Sequence, residues 1–264
     1  MQDSQVIEQG RPVGYDQVGV AYFASQVVSL LAERFARADM TDPRPDLLHD
    51  LIAAAVSGTR DSFAALLVEM RRSRVSLAAL ADVYIPMAAR QMGADWLDDR
   101  MTWVDVTIGT ARLQSLLREV GAAWAADQAG ESGQGTVLLI VPDGEQHTLG
   151  PMVAMGQMRR LGISVCLRIA PSFDELRSLV ASRNFDGAMV SIACQEKLES
   201  VARIVKFLKS ISHSPLPVVV GGAVMGSVED AASCTGADLS SNDIGAALEA
   251  IGLKLDAFCA LKRA

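Results

Sequence analysis

Thr136-Val-Leu-Leu-Ile-Val141, running into Pro142-Asp-Gly-Glu145-Gln-His147-Thr-Leu-Gly150-Pro151, is the stretch that decides how this chain folds. An unbroken apolar run bounded by turn residues reads as a strand buried on both faces. Pro151 suits the first turn of a helix. The same strand-loop-helix unit then recurs. Strands are expected at 136–141, 163–168, 187–193 and 217–220, with a weaker one near Ala237–Ser240. Helices are expected at 151–161, 173–182 and 198–210, and from Ile244. Continuous apolar strands joined by helices predict an α/β fold, a flavodoxin-like (Rossmann-type) doubly wound parallel sheet. Ligands of such sheets sit beyond the carboxyl ends of the strands, where His147, Ser191, Gly221 and Gly222 all fall.

Upstream, the hydrophobic period is helical. Val20, Phe23, Val27, Leu30, Leu31 and Phe35 recur at helical spacing within Val18 to Arg37, before Pro43 and Pro45 interrupt. A second helix starts at Asp46 and closes at Ser57-Gly58-Thr59, and Asp61 is the expected cap of a third, Ser62 to Arg72. Ser76 caps the next, which continues to Trp96 with a kink expected at Pro86. Thr102 caps the last, through Trp124. The domain reading is a poorly structured arm at 1–16, a helical bundle at 17–128, a polar Gly-rich linker from Gln128 to Gly135, and an α/β domain at 136–264.

The 264 residues, half of them hydrophobic, suffice for a large core. A net charge of −7 argues against a nucleic-acid-binding surface, and no apolar run approaches the roughly 18 residues of a bilayer span. Without a basic, apolar leader at Met1, the expected location is the cytoplasm. Cys166, Cys194, Cys234 and Cys259 are scattered and read as reduced thiols. No Walker loop, kinase signature, Ser/His/Asp arrangement or helix-turn-helix is present, so a protein-binding regulator is expected rather than an enzyme.

Of the three histidines, His147 lies in the loop after the first strand, where an imidazole can ligate a metal. Its second ring nitrogen needs an acceptor, and Glu145, Asp143 or a backbone carbonyl could serve. Met152, Met155 and Met158 follow at three-residue spacing and are read as core. His213, beside Pro215, is read as a surface loop residue, and Arg71-Arg72-Ser73-Arg74 as a solvated helix end.

The ordered set of Glu145-x-His147-x-x-Gly150, Ser191-x-Ala193 and Gly221-Gly222, with 40 and 27 residues between its parts, resembles the signature of cobalamin-binding domains. Ala193 stands where that family usually has Leu. The resemblance implies a bound adenosyl-, methyl- or hydroxocobalamin, with His147 as the lower axial ligand of cobalt in place of dimethylbenzimidazole. It further implies Ser191 bonding the displaced base, and Gly221 and Gly222 clearing a slot for the nucleotide tail. The bundle resembles the cap of methionine synthases and cobalamin photoreceptor repressors, in which a Trp covers the upper corrin face. Trp96 matches that Trp, but Val106-Thr107 stands where those families have Glu-His; His49 is the bundle histidine left as an upper ligand. The segment from Trp96 through Trp103 to Gln114 is similar, with the His147 loop, to the AerR/PpaA family of cobalamin-binding antirepressors. That similarity implies a photosensory regulator acting through a partner repressor of photosynthesis genes, with no direct nucleic-acid contact and no membrane. The alternatives on this fold are a corrinoid methyl carrier and a haem-binding redox or gas sensor.

Overall fold

Val137 to Val141, all buried, form an inner strand of a five-stranded sheet. The computed structural model describes residues 43–127, 134–212 and 214–253. The expected arm at 1–16, the helical segment at 18–37, His213 and Cys259 lie outside the described residues. The strands are β1 (Gly135–Val141), β2 (Ile163–Ile169), β3 (Gly187–Ser191), β4 (Val218–Gly221) and β5 (Leu239–Ser240), all parallel and ordered β2-β1-β3-β4-β5.

Alternate residues of each strand feed two cores, because successive side chains leave a strand on opposite faces. Leu138, Ile140, Val190 and Val220 join one, and Val137, Leu139, Met189 and Val219 the other. α7 (Phe173–Ser182) and α8 (Leu198–Ile211) cover the first face through Leu176, Val201, Val205 and Leu208. α6 (Leu149–Arg160) and α10 (Ile244–Ala250) cover the second through Met158 and Leu248. The short α9 (Ala231–Thr235) leads into β5. Met158 is buried in this core, while Met155 packs against it and Met152 packs against the bundle.

The bundle comprises α1 (Pro45–Ser57), α2 (Arg60–Arg72), a run of α3 (Leu77–Ala79), a π-turn (Leu80–Tyr84) and α4 (Ile85–Leu97), and then α5 (Trp103–Asp127). Two local expectations change. Thr59, not Asp61, caps α2, its hydroxyl accepting from the Ser62 N–H. Asp61 falls in the first turn, where the helix dipole favours its charge. The expected kink at Pro86 is a π-turn: Pro86 has no N–H for the Asp82 carbonyl, and the widened turn sends the Ile85 N–H back to the Leu80 carbonyl. Ser76 and Thr102 cap as expected, accepting from the Ala79 and Asp105 N–H groups.

α6 belongs to both halves. Its Leu149 and Val153 lie in the bundle core with Leu113 and Leu117, while Met158 lies under the sheet. At its far end Arg160 forms an ion pair with Asp82 of the π-turn, both side chains largely buried. Burial pushes the Asp82 carboxyl above its ordinary range, and the guanidinium opposes that push. Removing one member of a buried pair strands the other, so Asp82→Ala is expected to cost about 3–5 kcal/mol. An Asp82→Leu/Arg160→Met double variant should recover most of it. Urea unfolding of the three chains measures both, and a loss below about 1 kcal/mol for Asp82→Ala would contradict the buried-pair account.

Candidate cofactor site

The strand order puts the carboxyl ends of β1 and β3 side by side while their following helices, α6 and α8, pack on opposite faces. A crevice opens where successive connections diverge in this way. A buried carboxylate bridges it. Glu145, in the β1–α6 loop, has a side chain only 2% exposed. Its Oε1 accepts from the backbone N–H of His147 at 2.9 Å and lies 2.7 Å from His147 Nδ1. Its Oε2 reaches across to accept from the Ala193 N–H, beyond β3, at 3.1 Å. Burial acts to raise the pKa of this carboxyl, but the bonds from His147 and Ala193 outweigh it and hold the group below its ordinary range.

Of the three candidate acceptors for the imidazole, Glu145 is therefore the one in place. Asp143 is exposed, and its carbonyl accepts instead from Lys197 Nζ at 3.0 Å. With Nδ1 held by the carboxylate, a neutral imidazole carries its proton there and leaves the Nε2 lone pair outward. The His147 side chain is 77% exposed, and Nε2 has no hydrogen-bond partner among the described residues. The loop thus presents one imidazole with its tautomer fixed, a single coordination position for a metal that brings its other ligands. Nearby Cys194 does not compete: its bond to Glu196, then burial, push the thiol pKa up and disfavour thiolate.

Ser191 ends β3 in register with Gly221 at the end of β4. It is 9% exposed, and its hydroxyl has no hydrogen-bond partner among the described residues. The two glycines are needed first by the chain itself. A Cβ on Gly221 would lie 2.5 Å from the Ser241 carbonyl oxygen. Gly222 has φ +119° and would meet the Ile192 carbonyl oxygen at 2.4 Å. Asn242, which nothing in the sequence pattern singled out, clasps Gly222 by accepting from its N–H at 2.6 Å and donating to its carbonyl at 3.1 Å. Gly150 differs: a Cβ there would have no atom within 4 Å. A glycine inside a helix costs about 0.5–1 kcal/mol relative to Ala, and no neighbour in the described structure asks for one at this position.

The bundle reaches the site through Gln114 of α5, whose Nε2 donates to Thr148 Oγ1 at 3.1 Å. Trp103 lies 11 residues ahead of Gln114, about 16 Å along the helix axis. Trp103, Thr107 and Ala111 precede Gln114 by 11, 7 and 3 residues and share its face. Trp103, Val104 and Ile108 are exposed, as are Trp96 and Leu97 at the end of α4. Exposed apolar side chains thus flank the turn between α4 and α5. His49 is exposed on α1 and makes no hydrogen bond to the loop. Neither Gln114 nor Thr148 was singled out as a site residue in the sequence; the signals are helical spacing from Trp103 for Gln114 and adjacency to His147 for Thr148.

Over 185 residues, 70% of its length, the chain is 40% identical to an uncharacterized 20.5 kDa protein from the bchF–crtJ intergenic region of Rhodobacter capsulatus, of which 96% is covered. The chain belongs to that protein's family. No protein-family model matches it. Among solved structures, the monomethylamine corrinoid protein of Methanosarcina barkeri aligns with a TM-score of 0.60 at 14% identity, covering 80% of this chain and 96% of that one. The two share a fold.

The glycines give a paired prediction. Gly222→Ala should destabilise the protein alone by about 1–3 kcal/mol, whereas Gly150→Ala should leave its stability unchanged or raise it by at most about 1 kcal/mol. Thermal unfolding of both variants checks this, and an equally damaging Gly150→Ala would remove the argument that the position is kept open for a ligand.

Proposed function

We propose that this chain is a cobalamin-binding photosensory regulator, an antirepressor that acts through a partner repressor of photosynthesis genes. The observation that carries the reading is His147, with Nδ1 fixed by buried Glu145 and Nε2 free, at the β1/β3 crevice. The residues present fit the group. His147 would ligate cobalt, the Ser191 hydroxyl, without a hydrogen-bond partner among the described residues, would bond the displaced base, and Gly150 leaves clearance at the loop. Trp96 and Trp103, exposed on either side of the α4–α5 turn, would pack against the corrin. When bound, the cofactor supplies a photolabile cobalt–carbon bond, and the chain supplies ligand, cavity and readout.

The fold shared with a corrinoid protein supports the cofactor, and the family member's location in the bchF–crtJ photosynthesis region supports the regulatory role. Light sensing then needs two arrangements of the bundle on the sheet that the dark and illuminated forms favour unequally. α6, with the His147 loop at its head and Arg160 at its foot, is the element through which the chain would transmit the difference.

The test is absorption spectroscopy of the protein after incubation with adenosyl- or methylcobalamin, in dark and light, followed by gel filtration. Corrin bands that stay with the protein and shift on illumination are expected. His147→Ala should lose the histidine-ligated spectrum, and Glu145→Gln should weaken binding roughly 10–100-fold. A Soret band with haem and no retained corrin would overturn the cofactor, and equal affinity of the dark and illuminated forms for the repressor would overturn the signalling role.

A further inference from the structure

The connection after β3 acts as a bracket across the carboxyl edge of the sheet. The Ile192 N–H donates to the Gly221 carbonyl at 2.7 Å and Gln195 Nε2 to the Ser227 carbonyl at 3.0 Å, which ties the segment to the β4 side. On its other side the bracket holds the β1–α6 loop twice. The Ala193 N–H donates to Glu145 Oε2, and Lys197 Nζ donates to the Asp143 carbonyl at 3.0 Å. The first bond reaches His147 through Glu145. The second acts on the backbone two residues ahead of Glu145.

Lys197 stands against local preference. It is the N-cap of α8, a position where Ser, Thr, Asn and Asp bond the free amides of the first turn and where the helix dipole disfavours a cation. Its side chain makes no capping bond. Such departures gather where a side chain serves another purpose, and the β1–α6 loop shows which. Pro142 to Glu145 form a turn closed by the Glu145 N–H on the Pro142 carbonyl at 3.2 Å, with Gly144 at φ +68°. A Cβ on Gly144 would stand 2.6 Å from Lys197 Nζ, so the ammonium rests on a face of the turn that a glycine leaves open. Asp143, Gly144, Gln146 and His147 are all exposed, so packing does little to hold the loop. The two bonds from the bracket, at residues 143 and 145, fix its path on either side of Gly144.

We infer that Lys197 is a positioning residue for His147: with Glu145 it clamps the loop at two points, so the imidazole stands in its ligating position before a cofactor arrives. What His147 ligates rests on the cobalamin reading, whereas the clamp is a property of the chain alone. Without the lysine, Glu145 is left as the loop's tie to the bracket among the described residues. Cofactor binding then has to order the rest of the turn, which lowers affinity.

Two readouts on the full chain test this. Hydrogen exchange of the His147 amide, which Glu145 holds, is followed by NMR in the protein without cofactor. It is expected to run about tenfold faster in Lys197→Met than in the unmodified chain, with the Val190 amide of β3 as an unchanged control. The Kd for hydroxocobalamin, titrated by absorption, is expected to rise about tenfold in the same variant, with the thermal midpoint unchanged. Lys197→Arg, which keeps a cationic donor, should restore most of both. Equal His147 exchange in the unmodified and Lys197→Met proteins would overturn the clamp, and faster exchange with an unchanged Kd would overturn the positioning role. Failure of the unmodified protein to bind hydroxocobalamin would instead overturn the cofactor reading, and the exchange rates would still decide the clamp.

Discussion

A buried carboxylate that spans the crevice organises everything around it. Glu145 takes two bonds from His147 with one oxygen and one from Ala193 with the other, so a single side chain ties the β1 loop to the end of β3. A carboxylate removed from water survives as a charge only when its lone pairs are satisfied. Here the groups that satisfy it are the functional loop itself. Order in the loop, the tautomer of His147 and ionisation of Glu145 are one coupled condition, and loss of any member costs the others.

That condition also explains how two architectures become one device. α6 begins at the tied loop, contributes Leu149 and Val153 to the bundle core and Met158 to the sheet core, and ends at the buried pair with Asp82. Gln114 adds a second link, from α5 to Thr148. This twelve-residue helix thus touches the bundle near both of its ends. The π-turn forced by Pro86 is where that helix is received.

The sheet was legible in the sequence because its strands are unbroken apolar runs. β1 to β4 appear within a residue or two of their expected bounds, and the carboxyl-end placement of His147, Ser191 and Gly221-Gly222 follows from topology. Finer contacts were not legible, because they depend on residues far apart in the chain. The choice of Glu145 over Asp143 needed the Ala193 N–H, 48 residues away. The clasp of Asn242 on Gly222 and the bond from Gln114 to Thr148 have no local pattern to announce them. Thr59 displaced Asp61 as the cap because both residues suit a helix start and only the backbone path selects between them. Gly221 and Gly222 looked like clearance for a ligand, yet Ser241 and Ile192 require them already.

The central claim is that His147 Nε2 is a cobalt ligand, and electron paramagnetic resonance of the protein loaded with cobalamin and reduced to the cobalt(II) state reads it directly. With unlabelled protein, axial nitrogen splits each cobalt line into three. Growth on 15N-histidine, in otherwise unlabelled protein and cofactor, is predicted to turn each triplet into a doublet, since the coupled nucleus then has spin one half. Triplets that persist with labelled histidine would mean the cofactor keeps its own benzimidazole on cobalt, and would contradict the account.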